Sequence, residues 1–102
     1  MNFGNMGNLN QMMKQAQQMQ ARLEKSKKEL SEATFSATSG GGMVEVSLNG
    51  DYKLIGIKIN PAVVDADDVE TLEDLVISAY KQAETQVDNA RSEKLGEFGG
   101  LV

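Results

Sequence analysis

Histidine and cysteine are both absent from this 102-residue chain. Without them there is no disulfide, no thiolate, no imidazole base and no Ser–His or Cys–His nucleophile. Tryptophan is absent as well, and two Tyr and three Phe are the only aromatics, so bulky core plugs are scarce. No apolar run approaches the roughly 20 residues that a membrane span needs. No basic segment followed by an apolar one opens the chain, so a secretory signal is not expected. Phosphate-cradling loops of the GxxxxGK[ST] or GxGxxG kind are missing too. A single-domain, soluble, cytoplasmic protein is the default expectation.

What remains is two helical stripes around a centre rich in hairpin signals. Leu9, Met12, Met13, Ala16, Met19, Leu23 and Leu30 recur at steps of three and four. Most of them fit the a and d sites of a heptad, with Ser26 the polar exception. Methionine in place of branched residues makes this seam adaptable. The second stripe runs Val69, Leu72, Leu75, Val76, Ala79, Tyr80, Ala83, Val87, Ala90, with small residues that permit close approach. Residues 1–8 and 96–102, rich in Gly and Asn or Gly, read as a flexible lead-in and a flexible tail.

Three strand-like runs lie between the helices. Phe35 alternates with small polar residues; Val44, Val46 and Leu48 share one face; Ile55, Ile57 and Ile59 share another. The triple glycine from Gly40 reads as a loose hairpin turn. Asn49-Gly50 reads as a tight one, with both central residues at positive φ. Asn60-Pro61 ends the third strand. Asp67 is placed as the N-cap of the second helix, with Glu70 completing a capping box. The predicted fold is α+β: long helix, three-stranded antiparallel meander, long helix. A helix from Leu9 to Ser31 would span about 34 Å, and strands of this length reach about 20 Å. The helices therefore overhang the sheet, and a second copy of the chain is the simplest cover for their stripes.

The net charge of −5 is uneven. Residues 1–32 sum to +2, residues 33–64 to zero, and residues 65–102 to −7. The cluster Asp65, Asp67, Asp68, Glu70 lacks the glycine and glutamate positions of an EF-hand loop and fits helix capping better than a cation site. Nothing here predicts an enzyme, a metal or a cofactor. The first helix is the one plausible cationic element. Gln11, Gln18 and Lys25 fall at heptad c, and Lys14, Ala21 and Lys28 at f; Arg22 and Lys27 flank the seam at g and e. Such a stripe fits phosphate and sugar contacts, and it also fits an ordinary solvated face. Arg91 and Lys94, late in the second helix, fit either the helix dipole or a partner.

Gly42-Met43-Val44-Glu45-Val46, Asn49-Gly50, Ile57-Lys58-Ile59-Asn60-Pro61 and Leu72-Glu73-Asp74-Leu75-Val76, after a Met/Gln/Lys-rich helix, resemble the YbaB/EbfC family. The resemblance covers about Leu9 to Leu95. It implies a bacterial nucleoid-associated protein and an obligate homodimer shaped like tweezers, with duplex DNA held by projecting helices. The matching basic positions are Lys14, Arg22, Lys25, Lys27, Lys28, Arg91 and Lys94. The acidic stretch from Asp65 departs from a simple DNA-binding surface. It keeps open a rival reading, a homodimeric module that docks DNA repair or replication proteins.

Overall fold

The computed structural model describes residues 3–100, with side chains from Gly7 onward. Its elements run α1 (Phe3–Glu32), β1 (Thr34–Ser39), β2 (Val44–Asn49), β3 (Leu54–Ile59), a 3-10 turn at Pro61–Val63, α2 (Val69–Leu95) and a second 3-10 turn at Gly96–Phe98. The sheet is an antiparallel meander in the order β1-β2-β3, so the fold is the α+β arrangement that the periodicities predict.

α2 lies across one face of the sheet. Val44, Val46 and Leu48 of β2 and Ala37 of β1 meet Ala79, Ala83 and Val87 in one buried cluster. The alternation along β2 sends every second side chain into it. Ala79 and Ala83 are small because the helix sits close to a sheet, not to another helix. A second cluster joins Leu23 and Leu30 of α1 to Leu95 and Phe98. Each such side chain, fully buried, contributes about 1.5–3 kcal/mol. Exposed ion pairs contribute about 0–1 kcal/mol, so the apolar cluster dominates what holds α1 to the body.

Several expectations change at the level of single residues. The N-cap of α2 is Asp68, not Asp67: its carboxylate accepts from the Thr71 amide and hydroxyl. Asp65 instead accepts from the Asp67 amide, which turns the chain into that cap. Gly40, Gly41 and Gly42 all have positive φ, as a loose glycine hairpin requires. Asn49-Gly50 is not the two-residue turn expected. Neither residue has positive φ; Tyr52 does, at 64°. The Tyr52 amide donates to the Asn49 carbonyl and the Asn49 amide to the Lys53 carbonyl, which describes a three-residue loop closed by a left-handed residue.

A bulge between Ser47 and Leu48 shifts the β2–β3 register. Leu54 thus opposes Leu48, while Ile57 and Ile59 oppose Val46 and Val44. The face expected to hold Ile55, Ile57 and Ile59 holds Leu54, Ile57 and Ile59, and the bulge displaces Ile55. At the ends, α1 begins at Phe3, inside the expected lead-in, and Gly96–Phe98 is a structured turn with Phe98 buried, inside the expected tail. Residues 1, 2, 101 and 102 of those two segments lie outside the described ones.

Candidate nucleic-acid interface

α1 is a cantilever. Every described side chain from Gly7 to Arg22 is exposed, and Leu23 is the first one buried. The stretch from Phe3 to Arg22 reaches about 30 Å beyond its anchorage, and the whole chain extends 82 × 18 × 17 Å. Helix formation here rests on Gln, Met, Ala and Lys, all good helix formers. The seam therefore divides in two. Leu23 and Leu30 are covered by α2 and its 3-10 extension, while Leu9, Met12, Met13 and Met19 stay bare within this protomer.

At about 100° per residue, Lys14, Lys25 and Lys28 fall within an arc of about 60°, with Gln11 and Gln18 close by. Leu23 and Leu30 lie about 160–180° round the helix from Lys14 on the same geometry. Because those two leucines bind the body, the lysine stripe points away from it. Lys27 flanks the buried seam. Among the described residues, no carboxylate lies within 4.0 Å of Lys14, Lys25, Lys27 or Lys28; the ion pairs found are Arg22–Glu97, Lys58–Glu45, Arg91–Asp51 and Lys94–Glu29.

The other three basic positions carry internal contacts. The Arg22 guanidinium bonds Glu97 at 2.7 Å and stands over the Phe98 ring, 5.7 Å from its centroid. Arg91 donates to the Gly50 carbonyl at 2.9 Å, lies 3.7 Å from Asp51 and covers the Tyr52 ring. Tyr52 in turn bonds Asp88 through its hydroxyl, and that bond pushes its phenol above the usual range. Lys94 bonds Glu29 at 2.7 Å. That ammonium holds the Glu29 carboxyl below its ordinary value, with a smaller contribution from Lys25. Lys94 thereby neutralises an acid on the edge of the lysine stripe.

Sequence reasoning missed Phe98 and Glu97, since glycine on either side made the segment read as tail. The signal that could have found them was the three-residue step from Leu95 to Phe98, which continues the helical spacing.

A second exposed surface lies on the body. Leu54, Ile57 and Ile59 on the edge strand β3 are 53%, 42% and 40% exposed. A groove of about 420 Å³ lies between Ile59 and α2, lined by Ile59, Leu72, Glu73, Val76 and Ile77.

The geometry is that of a small α+β body with a projecting cationic helix, chemically suited to meet a polyanion. Comparison with known proteins gives the family. The model of the YbaB/EbfC DNA-binding family matches residues 6–102. A nucleoid-associated protein of Thermoanaerobacter sp. (strain X514) is 50% identical over 95 residues, covering 92% of this chain and 86% of that protein. One from Clostridium kluyveri is 48% identical over 101 residues, covering 98% and 89%. The crystal structure of an uncharacterized protein from Helicobacter pylori superposes with a TM-score of 0.63 at 24% identity, covering 96% of this chain and 97% of that one, and shows the same fold. The chain belongs to the YbaB/EbfC DNA-binding family, whose members are nucleoid-associated and not enzymes. The family's description speaks for DNA, and nothing in the comparisons supports the rival reading, a protein-docking module. No helix among the described residues is long and apolar enough to cross a membrane.

Proposed function

We propose that the protein binds duplex DNA as a homodimer, mainly through phosphate contacts from the α1 arms, and so acts on the organisation of the nucleoid and on gene expression. The observation that carries this reading is the segregation of charge. Lys14, Lys25 and Lys28 share one side of α1, Lys14 on the free arm, which carries no carboxylate between Gly7 and Leu23, and Lys25 and Lys28 on the anchored part, where Glu29 is paired with Lys94 and Glu32 ends the stripe. Overall acidity does not oppose it, because the acids concentrate beyond Asp65 and fields from exposed charges decay within a Debye length of about 8 Å. Arg22, Arg91 and Lys94 serve the fold rather than the phosphates. Flexible lysines on a continuous helix position a duplex without reading base edges.

The β3 edge supports the homodimer. A long apolar strand with open backbone groups is an aggregation hazard unless it is covered. Burying Leu54, Ile57, Ile59 and the adjoining α2 groove against the same surface of a second copy is an isologous contact that closes on itself. Two arms then project from one rigid body. A gel shift with labelled duplex at two salt concentrations tests the reading. Binding that weakens steeply with salt is expected, and no binding at low salt would refute it.

A further inference from the structure

We infer that Phe98 is a positioning residue for the DNA-binding arm: the C-terminal turn Gly96–Phe98 is a latch that sets the direction in which α1 leaves the body. This rests on the reading of α1 as the DNA-binding element. The contacts that orient α1 cluster at its C-terminal third. Leu30 is pinned at the hairpin, where its carbonyl accepts from the Gly50 amide at 2.9 Å. The Glu29–Lys94 and Ser31–Asp51 contacts stand beside that point; contacts confined to one turn leave a rod free to swing, and one two turns away removes that freedom. Phe98 supplies it: the ring is 1% exposed and shares a buried cluster with Leu23, two turns before Leu30. Arg22 closes the contact from outside, over the ring and onto Glu97. Beyond Arg22 every described side chain of the arm is exposed. Lys14 stands about 13 Å beyond Leu23 and the tip of the arm about 30 Å, so an angular change of about ten degrees at the latch moves Lys14 by about 2 Å and the tip by about 5 Å. Two lysine stripes engage one duplex together only when their separation is held, because a loosened arm lowers the effective concentration of its partner's contacts.

The experiment uses the natural lack of cysteine. Spin labels on Asn10→Cys, about 20 Å out along the arm, and Lys81→Cys on exposed α2 report one distance within a single full-length chain, when labelled protein is diluted in unlabelled. A narrow distance distribution is expected with Phe98 present, a broad one in Phe98→Ala, and a narrow one again in Phe98→Leu, which refills the site. Duplex affinity of Phe98→Ala is expected to fall about tenfold while the salt dependence keeps its slope, since the same lysines remain. An unchanged distribution in Phe98→Ala overturns the inference. Should Phe98→Ala lose its melting transition, the milder Phe98→Val reads the same distance. Loss of the transition in both would overturn it too, because Phe98 would then hold the body rather than aim the arm. The intrachain distance is independent of DNA, so a protein that proves not to bind duplex would refute the proposed function and leave the latch to be judged by its own readout.

Discussion

The Gly50 amide donates to the Leu30 carbonyl at 2.9 Å, and a Cβ on Gly50 would stand 2.2 Å from that carbonyl oxygen. The last turn of α1 thus rests directly on the backbone of the β2–β3 hairpin. Glycine is needed there for close approach and not for turn geometry, since its φ is not positive. Arg91 completes the joint by donating to the carbonyl of the same residue. Helix α1, the hairpin and helix α2 therefore meet at one glycine.

Gly50→Ala is expected to destabilise the protein by about 1–3 kcal/mol, the usual cost of forcing extra atoms into a packed contact. Urea denaturation followed by circular dichroism checks this. A midpoint equal to that of the unsubstituted chain would mean that α1 can move off the hairpin at no cost.

Removing Lys25 and Lys28 together should weaken duplex binding and flatten its dependence on salt, by about 0.9 in the log–log slope for each phosphate no longer neutralised. Arg91→Ala should do the opposite. It should lower stability by about 1–3 kcal/mol through the hydrogen bond to the Gly50 carbonyl, and leave the slope alone. Fluorescence titrations of labelled duplex at several salt concentrations separate the two outcomes.

Ile57→Glu places a carboxylate on the apolar edge of β3 in both copies. Its burial should raise the dissociation constant of the proposed dimer by more than about a hundredfold, while the core that α2 covers keeps all its side chains. Sedimentation is expected to report the mass of two chains for the unsubstituted protein and of one chain for Ile57→Glu at the same concentration; one chain for both would refute the proposed dimer.

The Glu29–Lys94 pair makes one contribution to stability dependent on pH. The folded carboxyl lies below its ordinary value of 4.5. Its contribution is therefore present above that value and is lost as the pH falls through the folded one. Glu29→Gln should be slightly less stable than the unsubstituted chain at about pH 7, and the difference should disappear once the pH falls below the lowered value of the folded carboxyl. A difference that persists in acid would show that the glutamine acts through something other than the ion pair.

Much of the architecture was legible in the residue pattern because period and punctuation are local. The alternation of Val44, Val46 and Leu48 marked a half-buried strand, the three glycines marked a turn, and the Leu72 to Ala90 stripe marked the helix that covers the sheet. The cap was misplaced by one residue because Asp67 and Asp68 have the same chemistry, and only the path of the chain from Asp65 chooses between them. The faces of β3 were misread because a bulge breaks the rule of two at one point, and nothing in Leu54-Ile55-Gly56 announces it.

The division of labour among the basic residues was out of reach for a related reason. Lysine and arginine look alike along a chain whether they face solvent or a carboxylate folded back from far away. Glu97 lies 75 residues from Arg22, and Glu29 lies 65 from Lys94. Order of elements, family and the cationic character of α1 follow from neighbours in the chain, where propensity and periodicity act. The free lysines, the joint at Gly50 and the latch at Phe98 follow from contacts between distant segments, which exist only once burial of the apolar stripes has brought those segments together.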